Sequence, residues 1–156
     1  MNIDIKIFGF GISPEKTSQY SALTIGANTV EFYMNFFKKL QELKTKTYNF
    51  IKNAKENGKS VWVYGASTKG NTLLQLFGIT PDLVTAIAER SPYKFGLLTV
   101  GTNIPICSEE EMRAADPDYL LVLPWHFIDE FAKREGDFIA KGGKLVVPCP
   151  TFQLIG

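Results

Sequence analysis

Residues 61–76, VWVYGASTKGNTLLQL, constrain the fold most, because an apolar run breaks at a glycine turn and then resumes with helical spacing. Val61–Tyr64 has the length and apolar character of a buried strand, and Thr68–Phe77 has the apolar spacing of the helix that follows it. A strand that leads into a helix through glycines is typical of strand–helix–strand units, whose strands pair in parallel. The stretch therefore predicts an α/β fold.

The rest of the chain repeats this alternation. A short acidic helix, SEEEMRAA, is predicted to begin after Ser108, whose hydroxyl caps it, and a loop rich in Gly, Thr and Pro covers residues 91–105. Further strands are predicted at residues 83–88, 119–123 and 144–147, and a further helix at residues 128–140. This order indicates a Rossmann-like, doubly wound, mostly parallel sheet with helices on both faces.

A long amphipathic helix precedes the sheet. Apolar residues such as Val30, Met34 and Phe37 recur at spacings of three and four, Asn28 is placed to cap the helix, and Gly58 to end it. The sequence thus predicts three parts, which are an N-terminal extension (1–27), a linker helix (28–57) and a Rossmann-like domain (58–156). An edge strand is expected near the start of the extension, where apolar residues alternate weakly.

Charge and composition exclude several classes of protein. The 17 basic and 16 acidic residues leave a net charge of +1, which argues against a nucleic-acid-binding protein. No apolar run reaches the roughly 18 residues of a membrane span, and the start of the chain has no signal-peptide layout. Cys107, Cys149 and one histidine are too scattered for a metal site. We therefore expect a cytoplasmic protein with two reduced thiols and no bound metal.

The glycine turn has the groups that bind an anion. Gly65 allows a sharp turn after the strand, Ser67 is placed to cap the helix, and the free amides at the helix start attract negative charge. Lys69 adds a positive charge and Asn71 a hydrogen-bond donor. The sequence G-A-S-T-K-G has Ser67 where the dinucleotide fingerprint has its middle glycine, and Asn71 where a Walker motif has lysine. Two interpretations remain, a phosphate site and a purely structural turn.

Other polar residues are predicted at the same edge of the sheet. Glu89 ends the second strand, where an acidic residue can bond ribose hydroxyls, although a solvated carboxylate paired with Arg90 is equally compatible. Lys94 is a further cation in the loop that follows. Trp125 and His126 come directly after another strand and are candidates to stack on a ligand or bond it, while packing under the next helix is the alternative for Trp125.

Four blocks of the chain, taken together, resemble a known family. The blocks are YGASTKGNTLLQLFGI, ERSPYKFGLLTVGTNIPI, PDYLLVLPWHF and GGKLVVPCP. In this order they resemble the C-terminal domain of the S-adenosylmethionine-dependent sugar C-methyltransferases, which methylate a ring carbon of nucleotide-linked keto-deoxysugars. The resemblance covers residues 33–150, whereas residues 1–25 match no part of the family.

The resemblance implies a role in substrate binding. It implies a parent enzyme with a zinc-binding segment, a methyltransferase domain and this Rossmann-like domain, joined by the long helix. In that enzyme, the Rossmann-like domain would hold the nucleotide-sugar. The glycine-turn residues Gly65, Ser67, Lys69 and Asn71 would address the diphosphate or nucleotide, and Glu89, Lys94, Trp125 and His126 would line the rim. The family more often has asparagine at the position of His126.

The zinc-binding cysteines and the methyltransferase domain of the family are not in this sequence. We therefore expect the chain to bind a nucleotide-sugar without methylating it alone, and to be either a piece of a longer protein or a free-standing relic. No cofactor is expected on this chain, since S-adenosylmethionine belongs to the parent enzyme. The expected partner is a methyltransferase domain, in cis or in trans. The alternatives are a dinucleotide-binding Rossmann module and a non-catalytic protein-interaction domain.

Overall fold

The computed structural model describes residues 29–156, so the predicted Asn28 cap and the extension at residues 1–27 lie outside the described residues. The chain divides into two compact units, Met1–Gln41 and Glu42–Gly156. In the first unit, the described residues form the N-terminal part of one long helix. The second unit carries the sheet and the remaining helices.

The second unit is built on a six-stranded sheet with the strand order β3-β2-β1-β4-β5-β6. All neighbouring pairs are parallel except the last, in which β6 runs antiparallel to β5. The strands are β1 (Val61–Tyr64), β2 (Ile87–Glu89), β3 (Ile106–Ser108), β4 (Tyr119–Val122), β5 (Lys144–Val147) and β6 (Gln153–Ile155). The predicted Rossmann-like α/β fold is confirmed.

Five α-helices and two 3-10 turns accompany these strands in the described residues. The helices are α1 (Val30–Glu56), α2 (Thr68–Phe77), α3 (Glu109–Ala114), α4 (Ile128–Arg134) and α5 (Gly136–Ala140), and the 3-10 turns are Pro92–Lys94 and Trp125–Phe127. The predicted end of the long helix is confirmed, because Gly58 has a φ of 70° and Lys59 donates its amide to the carbonyl of Ala54 at 2.9 Å. No described helix combines the length and the apolar character needed to cross a bilayer.

The two faces of the sheet are both buried. Alternate residues of a strand point to opposite faces, and the face that carries Tyr64 and Leu120 packs against Met112 of α3 and Phe131 of α4. On the opposite face, Val63, Leu121 and Val146 are almost completely buried. Both faces of the parallel strands therefore contribute to one core, which explains their continuous apolar sequences.

Some element boundaries differ from the predictions. The second strand was expected at residues 83–88, but β2 covers Ile87–Glu89. Leu83 still belongs to a turn, and pairing with β3 begins only at Ile87. The strand expected at 119–123 ends one residue earlier, at Val122. The single helix expected at 128–140 is two helices, interrupted at Glu135, whose φ of −99° and ψ of 30° are not helical.

The order of the strands fixes where a ligand can bind. The chain moves outward from β1 to β2 and β3 on one side, and then returns to place β4 on the other side of β1. In open α/β sheets, a crevice forms at the carboxyl ends of the strands where the order reverses in this way. The connection from β1 to α2 and the connection from β4 to α4 both lie at that point.

Close packing of α2 against this edge generates a test. A Cβ atom added at Gly70 would lie 2.8 Å from both Cβ and Cδ1 of Leu123, so the helix could not keep its place. We expect Gly70→Ala to lower the free energy of unfolding by about 1–2 kcal/mol, since overpacking outweighs the better helix propensity of alanine. Urea unfolding measures this difference.

The matched control is Gly136→Ala at the first residue of α5. An added Cβ there meets no atom within 4 Å, so this variant should be as stable as the wild type or slightly more stable. Equal stability of the two variants would contradict the proposed packing of α2.

Candidate functional site

The turn between β1 and α2 depends on a residue without a side chain. Gly65 has a φ of 90°, and a Cβ atom at this position would lie 2.5 Å from Cγ of Pro124, in the connection that follows β4. Its amide donates to the carbonyl of Ala88 at 2.9 Å. The predicted sharp turn at Gly65 is confirmed, and it brings the ends of β1, β2 and β4 together.

Ser67 caps α2 as predicted. Its backbone is extended, and its Oγ accepts a hydrogen bond from the amide of Gly70 at 3.0 Å. The amide of Asn71 bonds the carbonyl of Ser67 at 2.9 Å. Among residues 29–156, no hydrogen-bond partner is found for the amides of Thr68 and Lys69. The start of α2 therefore presents two unpaired donors at the positive end of a ten-residue helix.

Glu89 and Lys94 together hold the backbone of Ala66. Oε2 of Glu89 accepts from the Ala66 amide at 3.0 Å, and Nζ of Lys94 donates to the Ala66 carbonyl at 2.8 Å. The two side chains also pair with each other at 3.1 Å. The second carboxylate oxygen of Glu89 accepts from the amides of Arg90 and Ser91 at 2.9 and 3.1 Å. The side chain of Lys94, and not that of Arg90, is thus the ionic partner of Glu89.

The environment of Glu89 keeps its carboxylate ionised. Partial burial raises the pKa of Glu89, but the hydrogen bonds from Ser91, Lys94 and Arg90 outweigh that effect, and the pKa lies below its ordinary value. A carboxylate with this set of donors is negatively charged at neutral pH.

A cavity of about 330 Å³ opens beside the turn. Of the predicted site residues, Gly65, Ser67, Glu89 and Lys94 line it. Its charged lining residues are balanced, with three cationic side chains (Arg90, Lys94, Arg134) and three carboxylates (Glu89, Glu109, Glu130). The cavity is therefore polar but has no net charge.

The other predicted residues lie elsewhere. Asn71 lines a second cavity of about 190 Å³, where its Nδ2 donates to the carbonyl of Val100 at 3.2 Å. Lys69 is exposed at the start of α2. Trp125 is half-buried and His126 exposed, their rings are in contact with centroids 4.6 Å apart, and neither lines the two cavities. The structure thus does not bring all eight predicted residues into one site.

One wall of the larger cavity was not predicted from the sequence. This wall is formed by Phe127, Phe131 and Arg134, the last two on α4. Positions 127, 131 and 134 are spaced four and three apart, the spacing that places residues on one helix face. That signal could have identified the wall once a helix after residue 127 was predicted.

Next to this wall lies an ionic group around the buried Glu135. We call it the Glu135 cluster, and it is formed by Tyr64, Glu109, Arg113, Arg134 and Glu135. Glu135 is only 3% exposed, and its Oε1 accepts from the hydroxyl of Tyr64 at 2.7 Å and from Nη2 of Arg113 at 2.6 Å. Nε of Arg134 donates to the same hydroxyl at 3.1 Å. Two guanidinium groups balance two carboxylates, so the cluster is neutral.

Glu109 and Arg134 complete the cluster. Oε2 of Glu109 accepts from Arg113 at 3.0 Å, whereas its buried Oε1 makes no hydrogen bond within the described part of the chain. This oxygen nevertheless lies 3.3 Å from Nη2 of Arg134, so an ion pair compensates its burial. The guanidinium of Arg134 also stacks over the ring of Phe131, 4.7 Å from the centroid. The cluster therefore fixes Arg134 in the cavity wall.

The comparisons with known proteins agree on one family. The model of a family described as the C-methyltransferase C-terminal domain matches residues 20–150. The match begins before residue 33, where the resemblance was expected to start, and it includes residues 20–25, which were expected to match no part of the family. C-methyltransferase NovU from Streptomyces niveus is 30% identical over 123 residues, which cover 79% of this chain and 29% of NovU. The chain thus spans less than a third of the length of this curated relative.

The Glu135 cluster generates a test of stability against pH. Burial raises the pKa of Glu135, but hydrogen bonds from Arg113 and Tyr64 outweigh burial and hold the pKa below its ordinary value of 4.5. The stabilisation is therefore complete above about pH 4.5 and is lost as the pH falls through the lower native value. We expect Glu135→Gln to cost about 2 kcal/mol at pH 7, because the buried carboxylate accepts charge-assisted hydrogen bonds from Arg113 that a neutral amide does not replace.

Urea unfolding between pH 3 and pH 7 measures this effect. The loss caused by Glu135→Gln should shrink as the pH falls, while the exposed control Glu110→Gln should change stability by less than about 0.5 kcal/mol throughout. A pH-independent cost of Glu135→Gln would show that the native carboxylate is not stabilised by its charge.

Proposed function

The chain belongs to the family of C-methyltransferase C-terminal domains, and we propose that it binds the nucleotide-linked keto-deoxysugar on which a C-methyltransferase acts. The observation that carries the proposal is the position of the larger cavity. It opens at the carboxyl edge of the parallel strands, next to a helix start with two unpaired amides. This is the part of an α/β sheet in which ligands bind.

The diphosphate of such a ligand is assigned to the start of α2. Within residues 29–156 no acceptor pairs with the amides of Thr68 and Lys69, and the helix dipole favours an anion at this position. The ammonium of Lys69 is exposed and adds a full positive charge. Ser67 contributes by capping α2, which fixes the direction of the free amides. Gly65 contributes by allowing the turn.

The uncharged part of the ligand is assigned to the larger cavity. A volume of about 330 Å³ accommodates a sugar ring or a nucleoside, and the balanced charges supply both donors and acceptors for hydroxyl groups. Phe127 and Phe131 offer apolar surface for the ring. Trp125 and His126 lie outside both cavities, so contact with them requires a ligand that extends past Phe127. Their role at the rim, and that of Asn71, stays a prediction.

The methyl transfer itself is assigned to the rest of the parent enzyme. Methylation beside a ketone requires a base, a positioned enolate and a methyl donor held in line. In nucleotide-binding α/β folds, the acidic residue after the second strand bonds the ribose of the cofactor. Here Glu89 already accepts four internal hydrogen bonds, so its carboxylate does not fit that role for S-adenosylmethionine. This chain alone would bind substrate without methylating it.

Calorimetry with dTDP-, UDP- and GDP-linked sugars tests the proposal. We expect at least one of them to bind, and Lys69→Ala to weaken that binding by about 1.5 kcal/mol, roughly tenfold, the low end for a hydrogen bond to a charged group. The matched control is Lys141→Ala, an exposed lysine at the end of α5. Lack of binding by all three compounds at millimolar concentration, or equal effects of the two substitutions, would contradict the assignment.

A second candidate function, self-association through α1, rests on one observation. The first part of α1 exposes several large apolar side chains, namely Val30, Tyr33, Met34, Phe36 and Phe37, each more than half exposed. Such a face is typical of a surface that binds another protein. The proposed occupant is the same face of a second copy of the chain.

Sedimentation velocity distinguishes this candidate. We expect the wild type to form dimers at tens of micromolar, and Phe36→Ser with Phe37→Ser to shift it to monomer by removing apolar contact area. Lys38→Ser, at the position directly after Phe37, serves as the control. A monomeric wild type would exclude self-association through α1.

A further inference from the structure

The Glu89–Lys94 pair bonds the backbone of Ala66, a residue that lies between the two cavities. Ala66 and Ser67 line both the larger and the smaller cavity. We propose that Glu89 is a positioning residue whose carboxylate accepts the hydrogen bond of the Ala66 amide, so that this amide is not available to a ligand. The anionic group of the ligand is thereby directed to the amides of Thr68 and Lys69. This inference rests on the proposed function, because it assigns a role within the same site.

The contacts of Glu89 leave no place for a ligand hydroxyl. An ionised carboxylate has about four acceptor positions. Oε2 is used by the Ala66 amide and by Lys94, and Oε1 by the amides of Arg90 and Ser91, all within 3.1 Å. Only 14% of the side chain is exposed. A ribose hydroxyl could bond Glu89 only by displacing one of these internal donors.

Glu89 also occupies the position that an anion would take in the turn. A glycine turn before a helix binds phosphate through its successive amides. The Ala66 amide is the first of these in the present turn, and its partner is already a negative oxygen at 3.0 Å. The next amide, that of Ser67, bonds the carbonyl of Gly65 at 3.1 Å. An external anion can therefore bond only the next two amides along the chain, those of Thr68 and Lys69.

Lys94 makes this arrangement neutral. Two of its three donors are used, one by the Ala66 carbonyl and one by Glu89. While the carboxylate is present, the pair adds no net charge beside the site. Without it, the Lys94 ammonium and the Ala66 amide would form a second anion-binding position. Glu89 thus limits the site to one anionic position and makes it selective for a ligand with one compact anionic group.

Replacing Glu89 should therefore strengthen the binding of an anion, whereas replacing a carboxylate that bonds the ribose would weaken the binding of the ligand. Glu89→Gln keeps the size of the side chain and removes its charge. We expect this variant to bind inorganic pyrophosphate about fivefold more tightly than the wild type at low salt, since a like charge next to the anion is removed. Lys94→Met, which leaves Glu89 uncompensated, should bind it about fivefold more weakly, and the double variant should approach the wild type.

The ribose contribution is measured separately. Calorimetry compares UDP with 2′,3′-dideoxy-UDP on the wild type and on Glu89→Gln. We expect the same ratio of affinities on both proteins. Weaker pyrophosphate binding by Glu89→Gln, or a hydroxyl preference that disappears only in this variant, would overturn the inference and show that Glu89 contacts the ligand.

A ligand-free measurement on the wild type keeps the inference separate from the proposed function. The Ala66 amide resonance should move as Glu89 is protonated, with a midpoint below the ordinary glutamate pKa because its hydrogen bonds outweigh its burial. An Ala66 resonance that is insensitive to this titration would overturn the inference. If pyrophosphate, UDP and the three nucleotide-linked sugars all fail to bind the wild type, the proposed function fails, while the Ala66 titration still decides whether Glu89 holds this amide.

Discussion

The close approach of the backbone at Gly65 to Pro124 is the constraint on which the site depends. Only a hydrogen atom fits between them, and the left-handed φ of 90° at Gly65 is itself open mainly to glycine. This contact joins the connection after β1 to the connection after β4, the two strands between which the order of the sheet reverses. Because the two connections touch at this point, the crevice opens to one side of them as a defined cavity.

The charged residues around the cavity mainly hold protein to protein. Lys94 and Glu89 fix the turn before α2, and the Glu135 cluster fixes α3 and α4 to Tyr64 at the end of β1. In both groups the positive and negative charges are equal in number. The unpaired polar groups are consequently few and local, and among the described residues the amides of Thr68 and Lys69 are the ones placed to attract an anion. Recognition would then depend on where donors point more than on a surplus of charge.

The sequence predicted those elements in which local and tertiary preferences agree. β1, α2 and β5 are long enough for their apolar patterns to define them, and the caps at Ser67 and Ser108 follow from side chains that bond only nearby amides. The three-residue strands β3 and β6 were missed, because so short a segment carries no measurable periodicity. Their existence depends on pairing with strands that are distant in sequence.

The break at Glu135 was missed for a related reason. Nothing near residue 135 distinguishes a buried glutamate from a solvated one, and its partners Tyr64 and Arg113 are far away along the chain. The contacts of Glu89 were not predicted for this reason as well. The sequence left a ribose-binding carboxylate and a carboxylate paired with Arg90 as alternatives, whereas its four hydrogen bonds depend on the paths of the turn and of the following loop.

Ser108 belongs at once to the last position of β3 and to the cap of α3, so no residue separates the strand from the helix. One residue inserted there would turn α3 by about 100° about its axis. Glu109 and Arg113 would then face away from Tyr64, and the charges of α4 would lose their counterparts. Homologous chains should therefore keep the junction at Ser108 free of insertions and deletions.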